Sequence, residues 1–190
     1  MPTMTERFRA FIAIDLPSDV KDALAAIRRE LEPRVPEGAV RWNSREKMHL
    51  TLRFLGDTEV AKVQEIGSAL ESIAAAHAPF QLALDALGCF PNPRRPRVIW
   101  VGLDGDVAEL HQVKEMVDER LAPLGWAPED RAYHPHLTLG RVRGLEGISL
   151  PWGTPVVPLS FTASALHLYE SDLRPSGPLY TVRHSAALTS

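Results

Sequence analysis

Two hydrophobic periods alternate along the chain. Residues Arg7–Leu16 alternate and then run apolar, which predicts a buried strand. From Ser18 to Glu32 the apolar positions Val20, Ala23, Leu24, Ile27 and Leu31 fall on one helical face. Pro17 and Ser18 mark the start of that helix, and Pro33 and Pro36 lie beyond its end. Val40–Asn43 and Met48–Leu55 predict strands. Gly56-Asp57 then predicts a turn into a second helix over Glu59–Ala76, striped by Val60, Val63, Ile66, Ala69, Leu70 and Ile73. Phe80–Leu87 predicts a strand, Cys89–Arg97 a loop and Arg97–Leu103 a strongly apolar strand. A third helix is predicted over Asp106–Leu124, striped by Val107, Leu110, Val113, Met116, Val117 and Leu121. His136–Val142, Phe161–Glu170 and Tyr180–Ala187 predict the closing strands, with loops at Gly144–Pro155 and Asp172–Pro178.

Within this pattern one tetrapeptide occurs twice. His-Leu-Thr-Leu stands at His49–Leu52 and at His136–Leu139, each in a predicted strand. Side chains alternate along a strand, so His49 and Thr51 share one face and Leu50 and Leu52 the other; His136 and Thr138 repeat this against Leu137 and Leu139. A lone His-x-Thr on a strand is ordinarily a half-exposed edge. Two copies, separated by nearly half the chain, predict a pseudo-duplicated α+β fold. Two pseudo-symmetric lobes, each an antiparallel or mixed sheet with outer helices, would face a central cleft. No linker divides them, so residues 1–190 read as a single bilobal domain.

Composition narrows the function. The chain has 190 residues and is 45% hydrophobic, enough for one compact core. Its single cysteine, Cys89, excludes an internal disulfide and predicts a reducing, cytoplasmic setting. The first residues lack the basic and apolar regions of a secretory signal, and no apolar run approaches membrane-spanning length. A net charge of −3 argues against non-specific coating of nucleic acid, though Arg94, Arg95 and Arg97 crowd one proline-rich loop.

Two imidazoles and two hydroxyls around one point suit acid–base chemistry on a phosphate. Imidazole titrates near neutral pH and serves as either acid or base, and a hydroxyl stabilises charge building on a non-bridging oxygen. Arg53 shares the His49 face by odd–even counting; Arg141 breaks that parity after His136 and Thr138 and needs a bend at Gly140 to turn inward. Of the other histidines, His134 is a candidate for the cleft rim, and His77 and His111 read as surface residues. His167 and His184 read as either neighbours of the site or exposed. Trp42, Phe90 and Tyr133 read as core, with a stacking role for whichever lies at the cleft mouth. No histidine pair has convincing metal-ligand spacing with carboxylates, so neither metal nor cofactor is expected.

With both motifs placed, the chain resembles the two-histidine (2H) phosphoesterase superfamily. More narrowly, it resembles the RNA 2′,3′-cyclic phosphodiesterases, historically called 2′-5′ RNA ligases. The likeness runs through Arg7–Leu16, Val40–Gly56, Gly88–Gly102, His134–Arg141 and Tyr169–Tyr180. It implies a metal-independent hydrolase that opens a terminal 2′,3′-cyclic phosphate on RNA to a 2′-phosphomonoester, with a reverse 2′-5′ joining reaction. His49 would then donate a proton to the 3′ oxygen and His136 would activate water. Thr51, Thr138, Arg141 and Arg53 would contact the substrate. The expected protein is monomeric, with RNA as its partner and no membrane. The competing readings are a cyclic phosphodiesterase for small nucleotides or ADP-ribose cyclic phosphate, and a non-catalytic nucleotide-binding module.

Overall fold

The computed structural model describes residues 6–144, 148–175 and 177–190. Part of the Gly144–Pro155 loop and of the Asp172–Pro178 connection therefore lies outside the described residues. Strands β1 (Arg7–Ile14), β3 (Leu50–Glu59), β8 (Ala165–Arg174) and β9 (Gly177–Ala187) form one antiparallel sheet in the order β3-β1-β8-β9. The second sheet has the order β2-β6-β5-β4-β7, from β2 (Val40–Trp42), β4 (Phe80–Phe90), β5 (Val98–Gly105), β6 (His136–Val142) and β7 (Ser160–Ala163). Each sheet holds one motif strand, as the repeat predicts. The lobes are not the two halves of the sequence, however. β2 comes from the N-terminal half and joins the second sheet, while β8 and β9 return to the first.

Helices α1 (Ser18–Leu31), α2 (Val63–Ala74) and α3 (Val107–Leu121) cover the outer faces. α2 packs on β8 and β9, α3 on α2 and β3, and α1 beside β6. Their apolar stripes are the predicted ones: Val20 and Leu24, then Ile66, Leu70 and Ile73, then Leu110, Val113 and Val117 are fully buried. The leucines of both motifs, Leu50, Leu52, Leu137 and Leu139, join the same core as Ile12, Ile14, Ile99 and Val101. Burying one such side chain stabilises the fold by about 1.5–3 kcal/mol, so the leucine face of each motif anchors its polar face.

Several predicted boundaries move, each for a physical reason. Gly56-Asp57 is not a turn. β3 continues to Glu59, kinked where Leu55 is left unpaired against β1, and Gly56 takes the positive φ of 67° that this kink needs. The second helix accordingly begins at Val63, after a single 3₁₀ turn over Val60–Lys62. β4 extends to Phe90, so Cys89 and Phe90 are strand residues and the loop begins at Pro91. The predicted strand Phe161–Glu170 is two strands: β7 pairs with β4, and β8 pairs with β1 and β9. Its buried positions shift from the odd-numbered Phe161 and Ala163 to the even-numbered Leu166 and Leu168, because the chain changes sheets at Ser164. His77 is a core residue, not a surface one: it is 6% exposed, and its Nδ1–H donates to Glu109 Oε1 at 2.5 Å.

Candidate active site

A cleft of about 690 Å³ opens between the two sheets. His49 enters it from the residue immediately before β3, and Thr51 enters from that strand; His136 and Thr138 enter from β6. The tertiary structure thus brings all four motif side chains to one cavity.

Beyond each threonine, a bulge decides which side chain faces the cleft. Against β1, Ile12 pairs with Arg53 and Ala13 with Thr51, leaving Leu52 unpaired. Against β5, Ile99 pairs with Gly140 and Trp100 with Thr138, leaving Leu139 unpaired. A bulge shifts alternation by one residue, so the third position after each threonine faces the cleft. That position is Arg141 in one strand and Phe54 in the other, and both line the cavity. The bend that Arg141 requires is present, one residue earlier than Gly140. The same distortion turns Arg53, expected to contact the substrate, away from the cleft, so that it is not among the lining residues. Arg53 is 5% exposed, pairs with Asp118 at 2.5 Å and also donates to the Ala127 carbonyl.

Arg53 belongs to a buried ion network under the cleft wall. Lys114 Nζ donates to Asp118 Oδ2 at 2.6 Å and to Glu129 at 3.4 Å. Tyr133 donates its hydroxyl to the Thr51 carbonyl at 3.0 Å, and Trp126 Nε1 donates to the Leu55 carbonyl at 2.9 Å. These contacts pin the 126–134 segment to β3, and that segment supplies Pro128–His134 to the cleft. His134 is therefore a rim residue. Phe90 and Tyr133 line the cavity, whereas Trp42 packs against Gly140, where an added Cβ would approach its Cε3 to 2.9 Å. Arg41, Lys47, Phe54 and Tyr180 also line the cleft without having been singled out in the sequence. Arg41 carried one signal, as the polar residue between Val40 and Trp42. Tyr180 carried one only as the last residue of the segment Tyr169–Tyr180 in the family resemblance.

Each motif histidine sits among aromatic rings. His49 stacks on Phe11 at 4.7 Å and meets the edge of Tyr180 at 5.3 Å. His136 meets the edge of Phe90 at 4.9 Å, with Trp100 at 6.2 Å. Trp100 in turn lies over Gly88, where a Cβ would come within 2.1 Å of the indole, so any larger residue there would displace the ring beside His136. The His136 Nδ1–H donates to the His134 carbonyl at 2.7 Å, which leaves Nε2 as the free acceptor of the neutral ring. Desolvation pushes His49 down to about 4, against a backbone hydrogen bond to Lys47 and the charge of Asp15, which pull upward. Burial also lowers His136, with Arg141 adding to the effect and the His134 carbonyl opposing it. Arg41 and Arg141 are directly paired neighbours on β2 and β6, so two positive charges share one side of the cavity. Among the described residues, no group of three or more His, Cys, Asp or Glu side chains is placed to hold a metal ion.

Comparison with known proteins agrees with this geometry. The family model described as LigT like Phosphoesterase matches residues 14–100 and again 101–180, one segment per motif. The RNA 2′,3′-cyclic phosphodiesterase of Methanothermobacter thermautotrophicus is 32% identical over 182 residues, covering 92% of this chain and 96% of that protein. The RNA 2′,3′-cyclic phosphodiesterase of Aeropyrum pernix is 35% identical over 150 residues, covering 76% and 84%. The crystal structure of Escherichia coli LigT complexed with 3′-AMP superposes with a TM-score of 0.79 at 29% identity, covering 97% of this chain and all of that one. With the family model matched over residues 14–100 and 101–180, and a relative 32% identical covering 92% of the chain, the protein belongs to the LigT-like phosphoesterase family.

Proposed function

We propose that this protein is an RNA 2′,3′-cyclic phosphodiesterase that hydrolyses the terminal cyclic phosphate to a 2′-phosphomonoester. The observation that carries the proposal is the convergence of two His-x-Thr faces and Arg141 on one cleft. His136 takes a proton from water through its free Nε2, and the water oxygen attacks phosphorus. The bond from phosphorus to the 3′ oxygen breaks, and His49 protonates that oxygen as it leaves. Thr51 and Thr138 donate hydrogen bonds to the non-bridging oxygens, and Arg141 places a positive charge beside them. Arg53 has no contact role in this scheme; it holds the wall. Because the imidazoles lie in a desolvated cleft, both are neutral in the free protein near pH 7. The anionic substrate then stabilises the one imidazolium the reaction needs.

One chain supplies both histidines, so a monomer suffices, and the interleaved strands support a single bilobal unit. No helix among the described residues is long and apolar enough to cross a membrane. An RNA substrate and a lone, buried cysteine favour a cytoplasmic setting. The deciding experiment offers the purified protein an oligoribonucleotide with a 2′,3′-cyclic phosphate end, in excess chelator, and identifies the product. A 2′-phosphomonoester formed at full rate is expected. A 3′-phosphomonoester, or activity only on added metal, would reject the scheme.

A further inference from the structure

The loop joining β4 to β5, residues 91–97, carries three exposed arginines, Arg94, Arg95 and Arg97. It grows directly from Phe90, whose ring touches His136. Its far end enters β5 at Val98, which pairs with Arg141, and Arg141 pairs on its other side with Arg41. Cations therefore run from the cleft across the end of the second sheet onto this loop. None of the five makes an ion pair among the described residues, although the chain as a whole is acidic. The loop is held in shape: Asn92 Oδ1 accepts the backbone N–H groups of Arg94 and Arg95 at 3.0 and 3.2 Å, and Arg97 N–H donates to the Phe90 carbonyl at 2.6 Å. The carboxylates of the cleft, Glu129 and Asp130, lie instead on the segment pinned to β3, where Glu129 is paired with Lys114 and Arg131 follows Asp130.

This distribution selects a path for a polyanion. A cyclic phosphate terminates the 3′ end, so the rest of the strand extends only in the 5′ direction from the reacting nucleotide. It leaves the cleft over the purely cationic rim or over the one of mixed charge, and backbone phosphates favour the first. We infer that Arg94, Arg95 and Arg97 form a track for the phosphates 5′ of the reacting nucleotide, making single-stranded RNA several nucleotides long a better substrate than a cyclic mononucleotide. This rests on the function proposed above.

The test compares wild type with the triple variant Arg94→Ala, Arg95→Ala, Arg97→Ala. Substrates are a 2′,3′-cyclic mononucleotide and cyclic-ended oligoribonucleotides of increasing length. In the wild type KM falls with length. In the variant most of that gain disappears while turnover of the mononucleotide is unchanged. Anisotropy with a 3′-phosphorylated decamer, which needs no turnover, reads the same contacts: the log–log salt slope of binding flattens by roughly two if three phosphate contacts are lost. A triple lysine variant at the same positions restores the slope. Should the alanine variant keep both the length gain and the salt slope, the strand leaves elsewhere and the track is wrong. If neither protein opens any cyclic phosphate, the enzymatic reading falls, and the anisotropy comparison still decides the track.

Discussion

The two motif strands begin alike and part after the second leucine. His49-Leu50-Thr51-Leu52 and His136-Leu137-Thr138-Leu139 are identical, and each bulges at its last residue. Beyond the bulge, one strand turns Arg53 inward and Phe54 toward the cleft, and the other turns Gly140 inward and Arg141 toward the cleft. The inward positions differ because their surroundings differ. Arg53 meets Asp118 of α3, whereas Gly140 is pressed against β2, where a Cβ would come within 2.8 Å of Val40 Cγ1. The outward positions then leave one lobe an exposed aromatic ring and the other a guanidinium. The two strands share the paired imidazoles and hydroxyls but not the side chains that follow them, so the cleft is symmetric in its motif groups and asymmetric in the charge beside them.

The symmetric half of this picture is most exposed to test at the histidines. His49→Ala and His136→Ala should each reduce kcat by about 10²–10⁴-fold on a cyclic-ended oligonucleotide, the usual worth of a positioned acid or base. The double variant should lose little more than either single one, because the two rings act as a unit. Near-normal turnover in either single variant would separate the lobes and end the paired mechanism.

The asymmetric half is tested by the two arginines. Arg53→Met should cost about 3–5 kcal/mol in urea unfolding, since it strips a buried ion network of one cation and leaves Asp118 undercompensated. Arg141→Met should leave unfolding within about 0.5 kcal/mol of wild type, as an exposed side chain. Its kcat should nonetheless fall by about a hundredfold, the scale of one lost transition-state donor. Reversal of that pattern would mean the bulges do not orient the two strands as described.

Thr51→Val and Thr138→Val probe the equivalence of the two strands more finely. Each keeps a branched shape suited to a strand and deletes a hydroxyl, so each should fold normally and lose about a hundredfold in rate. Equal losses would make the two hydroxyls equivalent; a loss confined to one would extend the asymmetry into the motifs themselves.

The smallest expected effect is a displacement in pH. Both imidazoles are held below 6.5, His49 at about 4, so both limbs of the kcat/KM bell should lie below 6.5. The rate rises as the base loses its proton and falls as the acid loses its own; the limbs belong to the pair rather than to either residue. Bound phosphate favours the imidazolium and raises both, so the bell in kcat should sit at higher pH than the bell in kcat/KM. A profile that climbs to a plateau with no descending limb would remove His49 as the acid.

Much of this was legible along the chain. Apolar periodicity located the three helices and most strands, and the repeated tetrapeptide identified four side chains that share the cleft. Strand alternation is a local property, so it could be read correctly from the residues alone as far as Thr51 and Thr138. Everything beyond depended on partners distant in sequence. Whether Leu52 and Leu139 pair or bulge is decided by the strands beside them, and that choice sent Arg53 inward and Arg141 outward. The switch of Phe161–Glu170 between sheets, the burial of His77 against Glu109, and the arrival of Tyr180 beside His49 were likewise settled by tertiary contacts. Periodicity reports which face of an element is apolar. It does not report which element will cover that face, nor which charge waits there, and those are what separate a cleft-facing arginine from a buried one.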